Sequence, residues 1–279
     1  MTHSLVVFNE NSGRAKSVQI DQLIARFLSD PNPTVIGVEQ LSCFLPAAFT
    51  EVLVAGGDGT LRAVLQWAKE APLLLKYYPC GTLNERAHTP TRLSADPVVG
   101  ELSNGEIFTY VLATGSFTPI GYTSTVAAKQ KQGAWAYVRR VLSAYRAYDF
   151  PLSVEADERH YEGNYTLAML IKSRVCFRFP FNRLYDPTKK SAHLLLVRSF
   201  GKDGLIARAR LFFPFFRIFF LGIRRPIHTG RILFQEVSTL TLTSPQNLDW
   251  CMDGEKRTLS SFSLSFRCVA PTLQILPID

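Results

Sequence analysis

The chain has 279 residues, 47% of them hydrophobic, which fits a globular protein of one large or two ordinary domains. Its five cysteines, at positions 43, 80, 176, 251 and 268, are scattered, odd in number and without metal or redox spacing, which disfavours a disulfide framework and points to reduced thiols in a cytosol. The net charge of +8 is uneven: residues 1–97 hold 8 Lys+Arg against 9 Asp+Glu, and residues 98–279 hold 23 against 14, so the later half could meet nucleic acid or an anionic membrane.

Met1-Thr2-His3-Ser4 runs straight into Leu5-Val6-Val7-Phe8, which reads as a first strand with no secretory signal before it. Asn9-Glu10-Asn11-Ser12-Gly13 follows, then a helix with Val18, Leu23, Ile24, Phe27 and Leu28 as its apolar stripe. Thr34–Val38 reads as a second strand. Val52-Leu53-Val54-Ala55 is a third, and it meets Gly56-Gly57-Asp58-Gly59-Thr60 before a helix begins at Leu61. Glycines there let the backbone take positive φ and approach a ligand with no Cβ in the way. Successive N–H groups in such a turn, backed by a helix start, form a cradle suited to phosphate. Arg62, on that helix, could meet a phosphate but is expected rather to face solvent. Leu73–Tyr78 reads as a fourth strand and ends in Pro79-Cys80-Gly81-Thr82-Leu83-Asn84-Glu85. Two such loops at the ends of alternating strands fit ligand binding at the carboxyl edge of an open α/β sheet.

Composition shifts toward alternating strands near residue 98. Asn104-Gly105 is a hairpin signal, and Phe108–Ala113 is the strand after it. Gly133–Phe150 reads as an amphipathic helix with Trp135, Val138, Leu142 and Tyr145 on one face. Strands follow at 152–156, 165–172, 193–199, 238–242 and 261–268, with Asp157-Glu158-Arg159 as a hairpin tip. His193 reads as a strand residue rather than a ligand. Leu211–Ile223 is the most apolar piece; Pro214 and Arg217 interrupt it, and it is too short to span a bilayer. Between 198 and 231 there are eight Lys or Arg and one acidic residue, Asp203. Aromatic rings ringed by arginines suit a monotopic anionic membrane surface over 211–225, with a core helix as the plain alternative. Nucleic-acid binding rests on charge alone and is not expected.

Gly56-Gly57-Asp58-Gly59-Thr60 resembles the signature loop of diacylglycerol kinases, sphingosine kinases and, more distantly, NAD kinases. Pro79-Cys80-Gly81-Thr82-Leu83-Asn84-Glu85 resembles the lipid kinases' Pro-x-Gly-Thr-x-Asn-Asp, with Glu85 in place of the aspartate. Asp253-Gly254-Glu255 matches a third signature, Asp-Gly-Glu, about thirty residues from the end. Asn9, Ser12 and Gly13 keep part of a further loop, Asn-Pro-x-Ser-Gly. The compact second motif favours the lipid branch over the NAD kinases.

The resemblance implies an α/β fold. An N-terminal Rossmann-like open α/β domain (1–97, completed by 268–279) is joined to a mainly antiparallel β-sandwich domain (98–267) that takes the lipid. It implies a lipid kinase that uses ATP and Mg²⁺. Asn9, Ser12, Gly13, Gly56, Gly57, Asp58, Gly59, Thr60, Gly81, Thr82 and Asn84 would hold the nucleotide, and Asp58 would hold magnesium through water. Asp253 would take the hydroxyl proton with Glu255 orienting it, though Asp58 is also described as the base in the family. The implied location is cytoplasmic and peripheral at the inner membrane face, and a homodimer is left open. Departures from the pattern are specific. The threonine expected after the second strand is missing, and Gln40 and Ser42 stand there. Glu101 stands in for an acceptor-side aspartate. The segment Tyr185–Leu194 replaces an Asp-Gly-x-Leu that helps bind a structural magnesium ion, so that site is expected to be absent or rebuilt around Asp186. These departures keep two alternatives open: an NAD-kinase-like enzyme and a non-catalytic lipid- or nucleotide-binding relative.

Overall fold

A computed structural model describes residues 3–81, 84, 97–118, 145–176 and 179–277. The chain divides into two compact units, residues 1–98 with 268–279, and residues 99–267.

In the first unit, β1 (Ser4–Phe8), β2 (Thr34–Gly37), β3 (Glu51–Gly56), β4 (Leu74–Pro79) and β15 (Thr272–Ile275) form one parallel sheet in the order β15-β4-β3-β1-β2. β3 is buried along its whole length, which explains its unbroken apolar run. Helix α1 (Ile20–Phe27) lays Leu23 against Val6, Leu53 and Ala55. Helix α2 (Asp58–Ala68) follows β3, and Trp67 Nε1 donates to the carbonyl of Phe44 at 2.9 Å. The connection after β1 leads to β2 on one side, while β3 lies on the other. The gap beyond the carboxyl ends of β1 and β3 is therefore the topological switch point, where open α/β sheets bind ligands.

The second unit is a ten-stranded antiparallel sheet. β5 (Val98–Leu102) and β6 (Ile107–Phe108) enclose the Asn104-Gly105 turn, with Gly105 at φ +81°. β7 (Val111–Gly115) and β8 (Phe150–Ala156) lie end to end in one lane, flanked by β9 (Arg159–Ile171) and β13 (Thr239–Met252). Gly115 closes the first half of the lane at φ +98°; a Cβ there would lie 2.2 Å from the Thr166 carbonyl oxygen. β10 (Ala192–Arg198), β11 (Ile227–His228) and β12 (Ile232–Val237) extend one side, and β14 (Glu255–Cys268) the other. Helix α3 (Leu205–Phe216) continues into a π turn, Arg217–Leu221. Its inner face joins the core through Leu211, Phe215 and Ile218.

The α/β class with a parallel sheet and an antiparallel unit is the one expected from the sequence. Two elements differ. The strand expected at 108–113 is broken at Thr109 and Tyr110, whose amides go to a side chain instead of a ladder. The helix expected over 133–150 does not reach its stated end: residues 145–149 are irregular and Phe150 opens β8, while 133–144 lie outside the described residues.

Candidate functional site

Three loops meet at the carboxyl edge of the parallel sheet. Asn9 sits just beyond β1; its backbone N–H donates to the Ala55 carbonyl at 3.1 Å, and its Nδ2 donates to Thr60 Oγ1 at 3.0 Å. Its Oδ1 accepts from the Asn11 amide, and the Ser12 amide donates to the Asn9 carbonyl, so 9–12 forms a tight turn. Two residues on, the Arg14 amide donates to the Cys80 carbonyl at 2.8 Å. The first loop is thus tied to both glycine loops.

The glycine loops touch each other. A Cβ on Gly81 would lie 2.5 Å from the Gly57 Cα, and a Cβ on Gly57 would lie 3.2 Å from the Gly81 Cα. A Cβ on Gly56 would collide with the Thr60 side chain at 2.5 Å. These glycines are needed for close approach. The expectation of positive φ is corrected: none of Gly56, Gly57 and Gly59 has it, and Gly57 is extended at φ −94°, ψ −174°. Asn84 locks the second loop from within. It has φ +49°, and its Nδ2 donates to the carbonyls of Pro79 and Gly81 at 3.2 and 3.0 Å. Its buried Oδ1 has no hydrogen-bond partner among the described residues. Thr82 lies outside the described residues.

Asp58 opens α2, where the helix dipole favours a negative charge, and it is buried. Tyr77 lies beneath it in β4. Burial first, then the Asp58 and Cys80 charges, push the Tyr77 hydroxyl well above the usual phenol range. Its oxygen is buried with no hydrogen-bond partner among the described residues. Arg62 is corrected: it is 7% exposed rather than solvent-facing, because α2 is buried on nearly every side. Beside the loops, a cleft of about 440 Å³ is lined by Arg14, Arg26, Gln22, Tyr78 and Cys80 among others. Burial pushes the Cys80 thiol up to about 11, with the Arg14 charge opposing. The sequence reading passed over both arginines, since neither belongs to a motif. The tie between Arg14 and Cys80 is what brings Arg14 beside the glycine loops.

In the second unit, Asp253-Gly254 is a two-residue hairpin turn between β13 and β14, with φ of +50° and +91°. That is the geometry Asp-Gly favours. The Asp253 side chain points inward and is 4% exposed. Its Oδ2 accepts from the Thr109 amide and hydroxyl, and its Oδ1 from the Tyr110 and Val111 amides, both at 3.0 Å. This is what breaks the strand expected at 108–113. Those four hydrogen bonds occupy the carboxylate expected as the base. Glu255 is different. Its side chain is 45% exposed and accepts from Arg257 Nη2 at 3.0 Å, while Arg257 Nε donates to Glu106 at 3.1 Å. Glu101, read as a stand-in carboxylate, is forked by Arg267.

The 185–194 segment holds a cation of the chain's own. The buried Lys172 ammonium donates to the carbonyls of Lys189 and Ser191 at 3.3 and 3.2 Å and lies 5.8 Å from the Phe266 ring centroid. Asp186 accepts from the Thr188 amide and hydroxyl. His193 is a strand residue of β10, as expected, stacked on Phe234 at 5.0 Å. Among the described residues, no group of three His, Cys, Asp or Glu is arranged to hold a metal ion.

The first unit is a parallel sheet with loops at its switch point and the second is an antiparallel sheet, which defines a mixed α/β protein. Residues 3–98 match the family model of the diacylglycerol kinase catalytic domain, the family that the motifs resemble. Two Bacillus anthracis proteins share the fold along nearly the whole chain. One, described as a "putative diacylglycerol kinase", is 16% identical with a TM-score of 0.72, covering 99% of this chain and 97% of its own. Another, described as a diacylglycerol kinase, is 15% identical with a TM-score of 0.64 and the same coverage. No curated protein matches the chain in sequence.

Proposed function

We propose that the protein is an ATP-dependent lipid kinase acting on a hydroxyl of a diacylglycerol-like or sphingoid-like lipid. The observation that carries this reading is the backbone contact between Gly57 and Gly81, with Asn9 bonded to Thr60 beside it. Side-chain-free loops in contact let a phosphate approach the backbone closely, and any added carbon would fill that space. The reaction moves the γ-phosphoryl group of ATP to the lipid oxygen, breaks the bond to ADP and releases the hydroxyl proton.

Loop residues 9–13, 56–60 and 81–84 would hold the triphosphate, and the Arg14 charge would favour it. Asp58 is a single buried carboxylate, which fits magnesium: that ion keeps several waters and takes few protein ligands when phosphates supply the rest. Magnesium would neutralise the charge on the β- and γ-phosphates. Asp253 would hold the 109–111 backbone in place, and the half-exposed Glu255 would accept the hydroxyl proton. A loose transition state asks little of a weak base, because the hydroxyl becomes acidic only late.

The deciding experiment offers labelled ATP and magnesium with a total lipid extract in one tube and NAD in another. Label is expected in a lipid; label in NADP would favour the NAD-kinase-like reading. Asp58→Asn is expected to cut transfer by at least about a hundredfold, and Glu255→Gln by a similar factor with the melting temperature unchanged. Full turnover by Glu255→Gln would remove it as the base. A second reading, a non-catalytic lipid- or nucleotide-binding relative, draws on the four hydrogen bonds that occupy Asp253. It would be favoured by saturable ATP binding with no transfer to any lipid.

A further inference from the structure

α3 and its π turn are apolar on two opposite faces. At about 100° per residue, Ala207, Leu211, Pro214, Phe215 and Ile218 fall on one side and are buried. Leu205, Ile206, Phe212, Phe213, Phe216 and Phe220 fall on the other and are exposed, Leu205 by 86% and Phe213 and Phe220 by 66% each. The exposed rings are ordered: Phe212 stacks on Phe216 at 6.1 Å, and Phe216 on Phe220 at 5.3 Å. Arg208 lies along one border of this stripe and Arg210 and Arg217 along the other. Gly222, at φ +72°, ends the turn, and the exposed Arg224 and Arg225 follow.

We propose that this outer stripe docks on an anionic lipid bilayer, with the helix lying in the plane of the interface. Charge selects the occupant. Residues 204–235 contain six arginines and no acidic residue. The two carboxylates that flank this stretch are engaged, Asp203 by Arg208 and the Ala147 amide and Glu236 by Lys189 and Ser191. A second copy of the chain packing on the same stripe would set arginines against arginines across a two-fold axis. Anionic headgroups instead meet the arginines while the rings enter the acyl boundary, about 5–10 Å deep. Among the described residues no helix is long and apolar enough to cross a membrane, so this stripe lies on the bilayer without spanning it. Docking there would bring the protein to the lipid–water boundary, where a long-chain acceptor resides.

The inference does not rest on the kinase reading, and its test lets either fail alone. Flotation with vesicles of phosphatidylcholine and phosphatidylglycerol in equal parts is compared with flotation on phosphatidylcholine alone. The unaltered protein is expected to bind the anionic vesicles at least about tenfold better. Phe212→Ser/Phe220→Ser is expected to lower that binding by at least about tenfold with the protein still folded, since the two residues are 63% and 66% exposed and only Phe220 also touches Phe179. Arg224→Ala/Arg225→Ala is expected to reduce the preference for anionic vesicles about threefold. No binding by the unaltered protein, or equal binding by the Phe212→Ser/Phe220→Ser variant, would overturn the proposal. So would a dimer on a sizing column that the same variant dissociates. Phosphorylation of a water-soluble short-chain diacylglycerol reports on the kinase reading separately and should be the same in the double serine variant.

Discussion

The two units of the chain hold their loops in opposite ways. In the first, Gly57 and Gly81 bring backbone onto backbone, and side-chain volume is what must be absent. In the second, buried polar side chains reach in and satisfy loop backbone: Asp253 takes three amides, and Lys172 takes two carbonyls. The first kind of site keeps the backbone clear of side-chain volume. The second engages loop backbone groups to make a rigid frame. One unit should therefore respond to an added carbon and the other to a changed charge.

The sharpest break of this contrast is Asp253→Asn. The amide keeps one acceptor oxygen and turns an NH₂ toward backbone donors, so urea unfolding should show a loss of about 3 kcal/mol. An effect below about 1 kcal/mol would mean that the carboxylate does not hold the 109–111 break. Next comes pH. Burial pushes the His193 imidazole down to about 4, with Glu236 opposing. The unfolded chain, with a histidine pKa of about 6.5, binds the extra proton first. Stability contributed by the neutral ring is therefore intact above about pH 6.5 and falls as pH drops toward 4, by on the order of 2–3 kcal/mol. Unfolding curves at pH 7 and 4.5 should diverge by that amount, and His193→Gln should narrow the gap.

Gly81→Ala tests the other side. Its Cβ has backbone at 2.5 Å, so it should cost about 1–3 kcal/mol and lower ATP affinity more than tenfold. Gly57→Ala, whose Cβ would lie 3.2 Å from the Gly81 Cα, should cost less, about 1 kcal/mol. Neither loss should depend on pH between 4 and 7. Equal penalties for the two alanines would argue that the loops are not in contact.

The fold class was legible because its signals are local: a buried apolar strand, a glycine loop, a helix, and later a run of short strands with polar turns. What sequence could not show depends on distant partners. The break at Thr109 is made by a carboxylate 144 residues away. The glycines at 56, 57 and 59 read as sources of positive φ and of close approach; none has positive φ, and at Gly56 and Gly57 the crowding comes from Thr60 and Gly81. Arg62 was placed in solvent by its charge, and α2 buries it. The apolar run at 211–223 was plain, but a pattern with rings on every side cannot say which of them the core takes.

The Lys172 ammonium carries a last consequence. Its charge is tethered by a covalent stem beneath the turn at 189–191, so it has no off-rate and no competitor in solution. A chelator that strips divalent ions would leave that turn's electrostatics intact, and the sheet around it would melt at the same temperature with or without EDTA.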